Sequence, residues 1–486
     1  MMDWLFEPQS MLENLDNLII KIKEVLAHNF SHVVLLGMGG SSLAPYVFNE
    51  VFEKNSNYPK FFVLDSIHPH EILTIQAQID IKNTLFIVSS KSGSSLEPNV
   101  LYNYFIEEMQ KANVKDIYKH FLAITDPVTS LEQESMEKGF LLSVFGKPNI
   151  GGRFSACSVF GLVPLLLMGH DAKTLLQHAV TMVNECAPSV LPKDNPGFLL
   201  GTFLGTNAKL GCDKLKIYVS KSLKPFGMWL EQLIAESLGK QGLGIVPVVS
   251  DDFIEKPDVM HCFIELHGEK ISNAQDTSSS IVLNLQNKQE LMAHMFLWQI
   301  AVSVAGIILG INPFDQPDVE LSKILAKKAL SDGQDNLKAH FIEDNLKIYS
   351  SNNLNLHDFI KPIKSSDYCA ILSFLHEGNK EFLLDLKKSL TNTKAEVLCQ
   401  TGPRYLHSTG QLFKGGGNNS HFILLTSFYE QDLMLNNKFS FAKAHFSQAM
   451  GDFMALSQKG KNIVWIDILS NQGFADLIYR IKNICD

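Results

Sequence analysis

No two of the seven cysteines are spaced as CxxC, and their number is odd. Cys157, Cys186, Cys212, Cys262, Cys369, Cys399 and Cys485 are scattered along the chain. That pattern excludes a disulfide framework or a zinc ribbon and predicts reduced, mostly buried thiols in a cytosol. The N-terminus, MMDWLFEPQS, has no basic segment followed by an apolar core, so no secretory signal is expected. The longest apolar run, AVSVAGIILGI at 301–311, is about 11 residues and too short to span a bilayer. Positive charge is also scarce: 42 Lys and Arg stand against 51 Asp and Glu, a net charge of −9. The whole chain therefore has no electrostatic drive toward nucleic acid or an anionic membrane. What is abundant is apolar surface, 45% of 486 residues, enough to bury a core in each of about three domains. A cytoplasmic globular protein is expected.

The first half alternates short apolar runs with helical patterns. HVVLLGMGG, FFVLDS, NTLFIVSS and HFLAIT lie about 25–35 residues apart, which predicts βαβ units and a parallel, doubly wound sheet. Ligands of such sheets sit beyond the carboxyl ends of the strands. A Pro-rich polar stretch, ECAPSVLPKDNPG at 185–197, suggests a boundary. A second α/β pattern follows it, and a third starts near 345 with YCAILSFL, AEVLCQ, HFILLTS and IVWIDIL as strands. The expected domains are 1–190, 191–344 and 345–486, the last a C-terminal α/β region that either stands alone or completes the second domain.

Two loops carry phosphate-binding chemistry, and a third offers a cation to an oxyanion. GMGGSS (37–42) follows a strand and opens a helix; its glycines admit close backbone approach, and the helix N-terminus offers free N–H groups. A dinucleotide site with Asp65 as the ribose acid is the rival, but the third fingerprint glycine is replaced by Ser42. SSKSGSSLEPN (89–99) packs Ser90, Ser92, Ser94 and Ser95 around Gly93, with Lys91 as a cation, which suits a phosphomonoester held without metal. NIGGRFSACS (149–158) places Arg153 after two glycines; a permanent cation suits a developing oxyanion, although alone it reads as a surface or ion-paired arginine.

In PFGMWLEQLIAESLGKQGLG (225–244), Glu236 lies off the apolar stripe in the last helical turn. The negative helix end would make it a stronger base, yet taken alone it reads as an exposed helix carboxylate. NPFDQPDVELSK (312–323) supplies Gln316 and Lys323, each by itself a solvated helix start. His68 and His70 in SIHPHE have no third ligand nearby, so no metal site is expected.

Together GMGGSS, SKSGSSLEP, GGRFSA, QLIAESLGKQGLGIVP and NPFDQPDVELSK resemble the phosphoglucose isomerase family, in the family's order over residues 33–323. GPRYLHSTGQLFKGGGNNSHF and FSQAMGDFMAL are similar to the isomerase half of transaldolase–isomerase fusion proteins; no barrel-sized segment precedes residue 33, so a transaldolase half is not expected. The resemblance implies two flavodoxin-like sugar-isomerase domains, a homodimer and an aldose–ketose isomerase acting on glucose 6-phosphate and fructose 6-phosphate. It implies that Gly40, Ser41, Ser90, Lys91, Ser92 and Ser95 hold the sugar phosphate. It implies Glu236 as the base between C1 and C2, Arg153 as the enediolate stabiliser with Gln316 nearby, and Lys323 as an aid to ring opening. The chemistry needs no cofactor and no metal, and the partner is a small sugar phosphate, not nucleic acid or membrane.

The chain departs from the family pattern at the ring-opening histidine, which usually lies between the base and lysine segments. His261 in DVMHCFIE has the usual order but reads as a core strand residue. His407 in YLHSTGQ comes after Lys323 but sits in a Gly-rich polar loop and is the preferred candidate. Two other readings stay open: a non-catalytic sugar-phosphate sensor, which could dispense with Glu236, Arg153 and Lys323, and an isomerase of another phosphosugar.

Overall fold

A computed structural model of the chain describes residues 2–271, 279–332, 338–343 and 345–485. They form an α/β protein of two compact units. Unit 1 comprises Met1–Asp65, Thr74–Leu238 and Ile245–Asp315; unit 2 comprises Ser66–Leu73, Gly239–Gly244 and Gln316–Asp486.

Unit 1 holds two parallel sheets. The first contains β1 (His32–Gly37), β2 (Lys60–Leu64), β3 (Thr84–Ser89), β4 (Phe121–Thr125) and β5 (Leu142–Phe145) in the order β2-β1-β3-β4-β5. The apolar runs become central strands covered on both faces: Val33 to Leu36 and Leu85 to Val88 are fully buried. At roughly 1.5–3 kcal/mol for each fully buried aliphatic side chain, these strands supply much of the unit's hydrophobic stabilisation. The second sheet contains β6 (Lys214–Val219), β7 (Val246–Val249), β8 (Val259–Leu266) and β9 (Ser280–Leu285) in the order β7-β6-β8-β9. One apolar cluster includes Leu35, Phe48, Leu230 and Trp298, so the two sheets share a core. The Pro-rich stretch 185–197 lies between them in sequence, inside unit 1.

The helix Pro196–Lys209 presents Gly197, Gly201 and Gly205 along one face. A Cβ on Gly201 would stand 2.5 Å from Val304 Cβ, and one on Gly197 2.4 Å from Ile300 Cγ2. These glycines let the helix Leu291–Leu309 lie close. That second helix corrects the estimate of an 11-residue apolar limit. Lys288–Leu309 spans 22 residues and is long and apolar enough to cross a membrane by length and composition, but 72% of its apolar window is buried inside the unit. His294 and Gln299 interrupt the run in sequence, and both are buried in the helix.

Unit 2 is built on a six-stranded sheet. Its strands are β10 (Phe341–Glu343), β11 (Leu346–Ser350), β12 (Tyr368–Ser373), β13 (Glu396–Thr401), β14 (Ser420–Ser427) and, after the small antiparallel pair β15 (Met434–Leu435) and β16 (Phe439–Ser440), β17 (Asn462–Ile468). The order is β10-β11-β17-β14-β12-β13. β12, β13, β14 and β17 are parallel, and β10 and β11 add an antiparallel edge.

Candidate active site

The order of the first sheet reverses at β1 and β3, because β1 passes to β2 on one side and to β3 on the other. The crevice beyond the carboxyl ends of these two strands is where such a fold receives ligands. Both serine-bearing loops stand there. β1 ends at Gly37 and runs into the 3₁₀ turn Gly39–Ser41, ahead of the helix Leu43–Val51. β3 ends at Ser89 and runs through Ser90–Ser95 into the helix Leu96–Lys111. Gly37 and Ser89 are register partners, and Ser89 Oγ donates to Ser41 O at 3.0 Å, so the loops are fastened side by side.

Neither helix is capped by a side chain: Ser42 and Ser95, at the two N-cap positions, make no cap hydrogen bond. Uncapped helix N-termini present backbone donors and positive dipole to an anion. Ser90 is 2% exposed, and its Oγ meets no hydrogen-bond partner among the described residues. A buried orphan hydroxyl costs stability unless a ligand completes it. Lys91 pairs with Asp126 and donates to Lys147 O at 3.2 Å. Ser92 is exposed, and its Oγ accepts from Ser94 N and Ser94 Oγ at 3.3 and 3.2 Å.

Gly40 has a reason beyond phosphate approach. A Cβ there would lie 2.2 Å from the carbonyl carbon and oxygen of Gly152. Ser155 Oγ donates to Gly40 O at 3.3 Å. The turn Gly152–Phe154 is thereby pressed onto the first loop, and it carries Arg153.

Arg153 is 2% exposed. Its Nη1 lies 3.3 Å from Glu236 Oε1, its Nε donates to Ser237 Oγ at 2.9 Å, and its Nη2 donates to the carbonyls of Pro313 and Asp315 at 2.5 and 3.1 Å. Burial pushes the guanidinium below its ordinary value, and the Glu236 and Asp315 carboxylates oppose that shift. Glu236 occupies the last turn of the helix Phe226–Leu238. Its side chain is 14% exposed, so the reading of an exposed helix carboxylate is corrected. Gln232 Nε2 donates to its Oε2 at 3.1 Å, fixing the other oxygen. Unit 1 therefore unites two serine-bearing loops at the sheet's switch point, a buried cation and a fixed carboxylate.

His261, also in unit 1, is 1% exposed on β8, stacked on Tyr218, with Nδ1 3.1 Å from the Tyr218 hydroxyl. Gln316, Lys323 and His407 belong to unit 2. Gln316 is exposed in the turn before the helix Glu320–Asp332. Lys323, 56% exposed, pairs with Glu320 at 2.7 Å. His407 closes the 3₁₀ turn Arg404–His407 and is half-buried.

Two buried groups organise these segments. Gln411 is fully buried; its amide donates to Gly239 O at 2.9 Å and to Asp318 Oδ2 at 2.8 Å, and its oxygen accepts from Asp318 N at 2.9 Å. Asp452 is fully buried, with Lys414 Nζ at 2.6 Å, Ser322 Oγ at 2.9 Å and Tyr405 Oη at 2.7 Å. Ser322 adjoins Lys323, and Tyr405 is two residues before His407, so both candidate side chains ride on elements tied to one carboxylate.

The family model for phosphoglucose isomerase matches residues 15–247 and 250–345. The chain belongs to the phosphoglucose isomerase family. It is 29% identical over 352 residues to a glucose-6-phosphate isomerase of Campylobacter jejuni, covering 62% of this chain and 85% of that protein. It is 27% identical over 374 residues to a glucose-6-phosphate isomerase of Methanocaldococcus jannaschii, covering 65% and 90%. Among solved structures, a glucose-6-phosphate isomerase from Chlamydia trachomatis superposes with a TM-score of 0.54 at 22% identity over 67% of this chain and 72% of that one, a likeness of fold.

Several residues of this family member escape a sequence reading. Ser237 adjoins Glu236 but carries no local signal as an arginine partner. Asp452 and Lys414 are separated by 38 positions, and only their presence in apolar or Gly-rich surroundings marks them as buried charges. The family match stops at residue 345, so it leaves β11 through β17 unassigned.

Proposed function

We propose that the chain interconverts glucose 6-phosphate and fructose 6-phosphate. The observation that carries this reading is the buried Arg153–Glu236 pair, pressed through Gly152 onto the serine loops. With the phosphate in the serine cup, Glu236 takes the proton from C2 of the open-chain aldose. The C2–H electrons form the C1–C2 double bond, and the carbonyl electrons settle on O1. Arg153 faces that developing oxyanion, and return of the proton to C1 with transfer of the hydroxyl proton from O2 to O1 gives the ketose. A positioned acid–base group contributes about 10²–10⁴ in rate, and a preorganised cation adds to it. In this reading residues 1–190 and 191–344 form the two sugar-isomerase domains, 345–486 an additional α/β region, and the enzyme works as a cytoplasmic homodimer without nucleic acid or membrane partners. The test is a coupled assay of fructose 6-phosphate with glucose-6-phosphate dehydrogenase, without added metal. Absence of turnover would sink the reading, and activity lost in EDTA and restored by a divalent ion would sink its metal-free form.

The phosphate assignment has its own check. Ser90→Ala and Ser95→Ala are expected to weaken competitive inhibition by inorganic phosphate by about 1–3 kcal/mol, the range for a lost charged hydrogen bond. Unchanged inhibition in both variants would place the phosphate at Gly37–Ser42 alone.

Ring opening is assigned to His407, the histidine of the polar, Gly-rich segment YLHSTGQ, because an imidazole can both give and take a proton. His407→Ala is expected to be slow on cyclic substrate and to recover on an analogue locked open, whereas His261→Ala should show loss of stability with the cyclic-to-open ratio unchanged. A His407→Ala enzyme indistinguishable from wild type on both substrates would overturn the assignment.

A further inference from the structure

Unit 2 repeats, in its own sheet, the topology that makes a ligand crevice. β12 passes to β13 on one side and β14 lies on the other, so the order reverses between β12 and β14. Ligands of doubly wound sheets bind outside the carboxyl ends at such a point. A cavity of about 300 Å³ stands there, at the lower end of the roughly 300–1,000 Å³ of small-molecule sites. His376 follows β12, and Ser427, Phe428 and Glu430 end or follow β14. His68 and His70 arrive from Ser66–Leu73, which belongs to this unit.

The lining chemistry is specific. The rings of His70 and His376 stack at 4.3 Å between centroids, and His68 lies 5.7 Å from His376. His68 Nδ1 accepts from His70 N at 3.1 Å, and His376 Nδ1 accepts from Gly378 N at 3.1 Å. Burial, then the neighbouring imidazoles of His445, His376 and His70, pushes His68 down to about 2; burial and His70 lower His376, against the opposing pull of the Glu430 carboxylate. Both are therefore neutral hydrogen-bonding groups at neutral pH. Asn379 and Asn471 add amides, and Phe428 adds an aromatic face. Among the described residues the lining contains no Lys or Arg, and its carboxylate is Glu430. Glu71 and Glu377 stand beside the imidazoles, with Glu377 N donating to Glu71 Oε1 at 2.8 Å. A phosphate or carboxylate entering this crevice would meet the Glu430 carboxylate and, in His68 and His376, imidazoles held in their uncharged form. No three His, Cys, Asp or Glu side chains among the described residues converge to hold a metal ion.

We propose that this crevice binds an uncharged, polyhydroxylated small molecule, a free sugar or sugar alcohol, at a site separate from the isomerase residues of unit 1. Amides, neutral imidazoles and one carboxylate match hydroxyls as both donors and acceptors, and the aromatic rings cover the apolar face of a sugar. The site lies on elements beyond the family match, apart from His68 and His70.

The experiment is calorimetric titration of the full chain with glucose, fructose and sorbitol, in buffer saturated with fructose 6-phosphate to occupy the phosphosugar site. Binding of at least one free sugar or polyol is expected, weakened tenfold or more by Asn379→Leu and by Glu430→Gln, with unchanged thermal transitions and unchanged turnover of fructose 6-phosphate. No binding by any of the three, or binding untouched by both variants, would overturn the proposal. Tighter binding of glucosamine than of glucose, abolished by Glu430→Gln, would replace it with an ammonium site. Turnover is measured separately, so failure of the isomerase reading and failure of this one are told apart.

Discussion

Glu236→Gln is expected to lower turnover by about 10²–10⁴-fold while leaving phosphosugar binding in place. The glutamine keeps the shape of the side chain, and its one carbonyl oxygen can still accept from Arg153, 3.3 Å from Oε1, whereas the NH2 that replaces Oε2 no longer accepts from Gln232, 3.1 Å away. What it loses is the capacity to take a proton from carbon. The serine loops do not depend on this group, because Ser89 Oγ and the packing of Gly40 on Gly152 hold them. KM and phosphate inhibition should therefore move little while kcat falls, the signature of an interaction made only on the reaction path. There is a second consequence. Arg153 is 2% exposed and would lose its ion-pair partner, keeping Ser237 and the carbonyls of Pro313 and Asp315. An uncompensated buried charge is costly, so some loss of thermal stability should accompany the kinetic effect. Kinetics well below the variant's own transition temperature separate the two. A variant that retains wild-type turnover there would make Glu236 a partner of Arg153 and nothing more.

The split between what was readable and what was not follows the range of the interactions. The strands of the first sheet are local events: Val33 to Leu36 and Leu85 to Val88 are uninterrupted apolar runs because both faces are covered, and they end in glycine and serine because the loops begin there. The glycines at 37–40 were legible as a place of close approach, but the approaching atoms belong to Gly152, more than a hundred positions away. Glu236 shows the same limit. Its place in the last turn is written in the helical period, whereas its pairing with Arg153, at 14% exposure, is a contact that no spacing rule connects to it. β7 is four residues long and too short to display a period. In Lys288–Leu309 the interrupting His294 and Gln299 hid a continuous apolar helix, because both polar residues are themselves buried.

Asp452→Ala is expected to destabilise unit 2 by about 3–5 kcal/mol, the usual cost of removing one partner from a buried ion pair. Asp452 and Lys414 are 0% and 1% exposed, with 2.6 Å between their charged atoms. Without the carboxylate, the Lys414 ammonium keeps Gly410 O at 3.3 Å, a weak acceptor for a charge shut away from water. Ser322 Oγ and Tyr405 Oη lose their acceptor at the same time. Their helices and turns would loosen together, and with them the segments that present Lys323 and His407. Hydrogen exchange along Phe441–Gln458 and Glu320–Asp332 reads this locally, which matters because a chain of two units need not unfold in one step. The charge itself is tested by the double variant Asp452→Leu with Lys414→Met. Replacing both members of a buried pair by apolar side chains is often neutral or stabilising, so most of the lost protection should return. Exchange in Asp452→Ala that matches wild type would mean the pair contributes nothing to holding these elements. If the double variant were worse than the single, the hydrogen bonds to Ser322 and Tyr405, rather than the charge pair, would be what unit 2 depends on at this position.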